Sequence, residues 1–355
     1  MPETMQAVVC HGPEDYRLER RPVPEPGPGE ALLKVEAVGI CASDLKCYHG
    51  APLFWGDENR VGYCEPPVTP GHEFTGTVVA IDAAAETKWG VRSGDRVVSE
   101  QIVPCEECRY CRRGQYWLCQ PHKIYGFKQA TQGAMADYLL VPANARVHKI
   151  SADLPAAHAA FAEPLSCSLH AVERATIGME DVVVVAGAGP IGLGMIAGAH
   201  QRGPKLTIAL DFDPHRRELA LACGADLALE PTGAVEEVQK LTGGYGCDVY
   251  MEATGHPAAV PQGLYMLRKA GVFVEYSVMR EPVTVDWTII GDSKELDIRG
   301  AHLGPYCWPA AIRMIENKLI PVDRIVTHQL PVTQFAEGID LVGDGTKSVK
   351  VALIP

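Results

Sequence analysis

An α/β chain, in which a doubly wound parallel sheet is set into a β-rich region, is the architecture that this 355-residue sequence predicts. Three observations predict it. The run Asp181-Val-Val-Val-Val-Ala186 is apolar and β-branched, and it ends at a cluster of glycines. Apolar residues then return at helical spacing through Met195, Ile196 and Ala199; a strand buried on both faces requires such a run. From Asp181 onward, strand-like and helix-like segments alternate, as repeated βα units with right-handed crossovers demand. Residues 1–160, in contrast, hold only short strand candidates parted by Gly and Pro, and one more strand-like run closes the chain.

In the β-rich region, residues 6–10, 30–38, 75–81 and 95–98 read as strands, with Pro22-Val-Pro-Glu-Pro-Gly-Pro-Gly29 among the separators. That texture fits a small barrel or sandwich. In the second region, 206–210, 226–229, 247–253, 271–277 and 296–300 read as strands, and 218–225 and 264–269 as helices between them. A helix over 309–318 follows. The last run, 348–354, suits the sheet of the first region. The predicted division is therefore discontinuous: 1–160 and 301–355 enclose an insert, 161–300.

The glycines after Ala186 are spaced G-x-G-x-x-G at Gly187, Gly189 and Gly192, between strand and helix, which is the context that gives this motif meaning. Gly187 permits the turn, Gly189 lets the backbone approach a pyrophosphate, and Gly192 lets helix and strand lie close. Pro190 and Ile191 open the helix, whose N–H groups and dipole receive phosphate charge. About 20 residues on, Asp211 ends the next strand, where a dinucleotide fold places an acid on the ribose hydroxyls. An acid there repels a 2′-phosphate, so NAD is expected over NADP. Arg216 is a further cofactor-side candidate that works against that preference; Arg216 and Arg217 also read as solvated charges on a helix.

Composition narrows the function classes. Hydrophobic residues make up 47% and charged residues 21%, a globular balance. The net charge of -12 argues against a nucleic-acid binder. The apolar run 182–199 approaches membrane-span length, but five glycines and Pro190 interrupt it. Met1-Pro-Glu-Thr-Met-Gln lacks the basic flank and apolar core of a secretion signal. Twelve cysteines in such a chain point to reduced thiols and metal ligands, and so to the cytoplasm.

Three stretches carry zinc-ligand types. They are Gly39-Ile-Cys41-Ala-Ser43-Asp44, Pro70-Gly71-His72-Glu73 and Phe161-Ala-Glu163-Pro164. Singly, each has a plain reading: a buried thiol, a structural His, a helix N-terminal charge. Together they make a catalytic site with Cys41 and His72 as ligands, completed by Glu163 or Glu73, and with one position left for water or substrate. Cys105, Cys108, Cys111 and Cys119 follow C-x2-C-x2-C-x7-C, which closes four sulfurs around one ion in a structural site within a lobe at 100–120. Between Cys41 and His72, the aromatic-rich loop 46–64 reads equally as a pocket wall or as a surface loop packed on its own rings.

Taken in order, these pieces, with Gly94-Asp-Arg-Val97, Gly133-Ala-Met-Ala-Asp-Tyr138 and Ala162-Glu163-Pro164-Leu165, resemble the zinc-dependent medium-chain dehydrogenase/reductase family over nearly the whole chain. The resemblance implies a GroES-like catalytic domain, a Rossmann NAD-binding domain and an active site in the cleft between them. It implies two zinc ions per chain, one catalytic and one structural, and a tetramer. Glu163 stands where the common alcohol dehydrogenases have a third cysteine ligand, as in polyol, threonine and glucose dehydrogenases, and Pro305-Tyr-Cys-Trp-Pro309 is similar to the sorbitol type.

Two departures shape the expectation. Lys46 replaces the usual His of the branch, which leaves His49 as the substitute at the outer end of a proton relay from Ser43. An arginine–tyrosine pair that contacts substrate in sorbitol dehydrogenases falls on Leu303 and Gly304. Both point away from sorbitol and toward a four-carbon polyol such as threitol or erythritol. In the implied reaction, zinc on Cys41, His72 and a carboxylate lowers the pKa of the substrate hydroxyl, hydride passes to NAD, and Ser43 relays the proton. The alternatives are L-threonine oxidation and a non-enzymatic nucleotide-binding role on the same fold.

Overall fold

The computed structural model describes residues 2–279 and 281–355. The chain forms two compact units. The first comprises Met1–Glu163, Trp308–Glu316 and Val326–Pro355; the second comprises Pro164–Cys307 and Asn317–Ile325. Residues 301–307 and Asn317–Ile325 thus belong with the second unit and 161–163 with the first, whereas the sequence pattern places 161–300 in the insert and 301–355 in the first unit.

The first unit is built on a seven-stranded sheet in the order Val147–Lys149, Arg96–Ser99, Glu73–Ile81, Ala31–Gly39, Lys350–Ile354, Val326–Pro331, with Tyr138–Val141 also paired to Ala31–Gly39. Ala31–Gly39 is central because it alternates short and branched apolar residues on a buried face; Leu33, Val35 and Val38 pack with Phe74, Val97, Met135 and Leu139. The C-terminal strand pairs antiparallel with it, Ala352 opposite Gly39, as the final apolar run suggested. Thr4–Gly12 and Asp15–Pro22 form a separate antiparallel pair. Register matters most at one point: Gly39 faces Glu73 across the Ala31–Gly39 and Glu73–Ile81 pair. Cys41 and His72 therefore lie at the same end of these two strands.

The second unit holds a six-stranded parallel sheet in the order Leu227–Leu229, Leu206–Leu210, Val182–Ala186, Cys247–Glu252, Leu267–Glu275, Asp297–Gly300. The order reverses at Val182–Ala186, the switch point at which doubly wound sheets bind dinucleotides. All of Val182–Ala186 is buried, as its continuous apolar run requires. The expected helix over 264–269 lies earlier, at Ala259–Met266, and Leu267 already begins the next strand. Gln262 and the exposed Tyr265 interrupt the apolar pattern of Ala259–Met266. No helix among the described residues is long and apolar enough to cross a membrane.

Candidate active site and metal centres

Cys41 caps the start of the Ala42–Tyr48 helix, Glu73 begins the neighbouring strand, and His72 immediately precedes it. One ligand atom from each of these three residues lies within 4.8 Å of the others. His72 and Glu73 are buried. Thiolate, imidazole and carboxylate in that space are a zinc donor set with room for a further ligand.

The surrounding groups tighten it. Asp44, only 1% exposed, accepts from the Cys41 backbone N–H at 2.9 Å through Oδ2, while its Oδ1 stands 3.6 Å from His72 Nδ1. Neither Asp44 Oδ1 nor His72 Nδ1 has a hydrogen-bond partner, which fits a site whose charge balance is completed by a cation. Burial by itself would pull His72 down, yet Asp44 and then Cys41 hold its pKa well above the ordinary histidine value. Glu73 forms a buried ion pair with Lys350, whose Nζ also donates to the Ile40 carbonyl at 2.9 Å. Burial would lower the lysine, but Glu73, helped by Cys41 and Glu163, keeps it above its usual range.

The two carboxylates that the sequence left as alternatives are placed differently. Glu73 belongs to the three-residue group, whereas Glu163 accepts a 2.6 Å hydrogen bond from Gln101 Nε2. Ser43 is half-buried in the first turn of the Ala42–Tyr48 helix, two residues from Cys41. His49 caps the other end of that helix, exposed, with Nδ1 3.3 Å from Glu14 Oε1. At 1.5 Å per residue, Ser43 and His49 are about 9 Å apart along the axis, so they are not brought together. Asp44, Lys350 and Gln101 were not foreseen; the only signal for Lys350 was a charge inside an apolar terminal run.

The rings of the loop after Cys41 pack on Phe127, a residue outside the loop. Phe54 is buried and stacks on Phe127 at 5.1 Å, and Tyr63 tilts against the same ring at 5.8 Å. Phe127 also lies 5.5 Å from the His72 ring. One aromatic cluster thus serves as the loop's core and as a wall beside the candidate metal site.

In the cysteine lobe, the sulfurs of Cys105, Cys108, Cys111 and Cys119 lie within 4.8 Å of one another. Backbone N–H groups point at them: Cys105 to Cys119 Sγ at 3.2 Å, Cys108 to Cys105 Sγ at 3.3 Å, and Gln120 to Cys108 Sγ at 3.5 Å. The amides of Cys111 and Gln120 lower the Cys108 thiol to about 6, while burial and Cys108 push Cys111 up to about 12. Four converging sulfurs, one already favoured as thiolate, fit a single tetrahedral cation.

In the second unit the glycine turn has the predicted form. Gly187 adopts φ +92°, and a Cβ at Gly192 would overlap the Gly187 carbonyl. Gly189 caps the Pro190–His200 helix, with Pro190 in its first turn. The Ile191 carbonyl accepts from Ser168 Oγ at 2.8 Å, which ties the turn to the helix behind it. Asp211 Oδ2 accepts from Ala188 N–H at 2.8 Å and Oδ1 from Asp213 N–H at 2.9 Å, so its carboxylate is anchored beside the turn. The guanidinium of Arg216 lies alongside Gly189, 3.8 Å from where a Cβ would stand. Arg217 instead donates to the Asp211 and Phe212 carbonyls.

The chain is similar to known proteins over its whole length. Residues 27–152 match the alcohol dehydrogenase GroES-like domain and residues 190–317 the zinc-binding dehydrogenase domain. An erythritol/L-threitol dehydrogenase of Mycolicibacterium smegmatis is 65% identical over 100% of this chain and 99% of its own. An L-threonine 3-dehydrogenase of Pyrococcus horikoshii is 35% identical over the same shares. A solved structure described as a short chain alcohol dehydrogenase from E. coli CFT073, complexed with NADH, superposes with a TM-score of 0.88 at 26% identity, covering 100% of both chains.

Proposed function

Because the chain belongs to the zinc-dependent medium-chain dehydrogenase/reductase family, we propose that it oxidises a secondary hydroxyl of a four-carbon polyol, erythritol or L-threitol, to the ketose, with NAD as acceptor. The reading rests above all on the 65% identity, across the whole chain, to a relative named for that activity. We place the reaction in the cytoplasm, since the cysteines are free thiols, all but Cys64 in core positions or ligand clusters.

Cys41, His72 and Glu73 would hold a catalytic zinc, and the four cysteines of the lobe a second, structural one. When bound, the catalytic zinc would supply Lewis acidity toward an alcohol oxygen, and NAD would accept the hydride from the carbinol carbon. The chain's own residues do the rest. Asp44 faces Nδ1 of His72 and so leaves Nε2 for an ion. Lys350 balances the charge of Glu73. Ser43, in the first turn after Cys41, takes the proton released by the substrate hydroxyl. The Gly187–Gly192 turn supplies backbone N–H groups to the pyrophosphate. Each Asp211 oxygen that accepts one backbone N–H keeps a second lone pair for a ribose hydroxyl, and this supports NAD.

A second reading, L-threonine oxidation, is favoured by the 35% identity to the Pyrococcus horikoshii enzyme. Initial rates of NADH formation with erythritol, L-threitol, sorbitol, xylitol and L-threonine separate the two. A four-carbon polyol should lead and a chelator should abolish the rate. A lead for L-threonine moves the assignment to that reaction, and silence across the panel from zinc-loaded protein refutes both. Cys41→Ser should lose turnover yet still bind NADH by fluorescence.

A further inference from the structure

We propose a third metal site, in the second unit, formed by His170, Glu173 and Cys307 and taking a divalent ion of the zinc class. One ligand atom from each lies within 4.8 Å of the others. Imidazole, carboxylate and thiol are all zinc donors, whereas magnesium and calcium take oxygen alone. One thiolate and one carboxylate also neutralise a divalent charge.

The backbone builds this convergence. His170 and Glu173 are three apart on the Ala162–Ala175 helix and so share a face, and Ser166 lies one turn earlier on that face. Gly304 seats directly on Ser166; a Cβ there would overlap the Ser166 hydroxyl and backbone. Only glycine allows that approach. From it the chain runs through Tyr306, at φ 61°, and turns back so that the Cys307 N–H donates to the Gly304 carbonyl at 3.3 Å. Gly304 thus sets the depth at which Cys307 meets His170.

The setting suits an ion entering from one side. Cys307 and His170 are 2% and 8% exposed, while the Glu173 side chain is 51% exposed and opens the site to water for a fourth position. The pairing of Glu173 with Arg202, at 3.8 Å on the surface, is weak competition. Arg174, the nearest other cation in sequence, donates its Nε to the Gly300 carbonyl. An ion here would staple the Gly304–Cys307 link to the helix. The site draws on neither the Cys41 group nor the cysteine lobe.

The test is a cobalt(II) titration of the full-length enzyme carrying only two equivalents of zinc, read by equilibrium dialysis and by thiolate-to-cobalt charge-transfer absorption. Wild type should take up one equivalent that Cys307→Ser does not, and the charge-transfer difference between the two should vanish with it. Glu173→Gln, at an exposed position that leaves the core intact, should bind that equivalent at least about tenfold more weakly. Polyol turnover should be the same in wild type and Glu173→Gln, so a failed function assignment would not disturb this readout. Equal uptake and spectra in wild type and Cys307→Ser, or unchanged affinity in Glu173→Gln, would overturn the proposal.

Discussion

The Glu73–Lys350 pair permits a quantitative test of how the catalytic end of the first unit is held. Both residues are almost wholly buried, at 1% and 4% exposure, so solvent screens their interaction little. Lys350→Met keeps the length of the side chain but leaves the Glu73 carboxylate unpaired and removes the donor to the Ile40 carbonyl. Breaking one side of a buried pair costs about 3–5 kcal/mol. For a unit of this size that corresponds to a fall in melting temperature on the order of 10 °C. The assay is calorimetric unfolding of chelator-treated protein, in a double-mutant cycle with Glu73→Gln. Removing the charge from both sides should recover about 2 kcal/mol relative to the sum of the single variants. In zinc-loaded protein the Lys350→Met penalty should shrink, because an ion beside Glu73 takes over the lost positive charge. Effects that add to within about 0.5 kcal/mol would refute the coupling. An equal penalty with and without zinc would refute the placement of Glu73 at the ion.

Three further outcomes are expected. Asp44→Asn, which weakens the group facing His72 Nδ1 while keeping its shape, should lower zinc affinity and turnover about 10- to 100-fold; competition with a chromogenic chelator measures the first. Asp211→Ala should reduce the NAD-over-NADP ratio of kcat/KM by about tenfold or more, since a charged hydrogen-bonding group beside the turn is lost. Glu275 is pushed up to about 8 by burial and then by the charge of Glu252, its neighbour across the parallel strands. A carboxyl raised in the folded state binds its proton more tightly there than in the unfolded chain. Stability should therefore fall as pH rises from about 4.5 to about 8. Glu275→Gln should flatten that slope and be the more stable protein at pH 8 by urea unfolding; an unchanged slope would contradict the account.

What was legible in the sequence is what neighbouring residues dictate. The Val182–Ala186 run, the glycine spacing and Asp211 sit within one βα unit, where backbone geometry links period to structure directly. The four cysteines of the lobe lie within fifteen positions, Cys105 to Cys119, too short a reach for the chain to hide their convergence. Even the return of the last strand to the first sheet showed in its apolar character. The helix at Ala259–Met266 was misplaced because its polar residues blur the period.

The partners of those residues were decided by sheet register and packing. Cys41 and His72 meet because Gly39 pairs with Glu73, and Lys350 reaches Ile40 across 310 positions because the terminal strand pairs with the Ala31–Gly39 strand. Glu73 lies in one group with Cys41 and His72, while Glu163 accepts from Gln101, 62 residues away; neither neighbourhood shows in the sequence. The meeting of Cys307 with His170 depends on one glycine seated against Ser166. A one-dimensional pattern records which faces are buried and which turns are possible; it carries no record of which buried charge lies opposite which, because that is set only when strands adopt one register out of several that the same pattern allows.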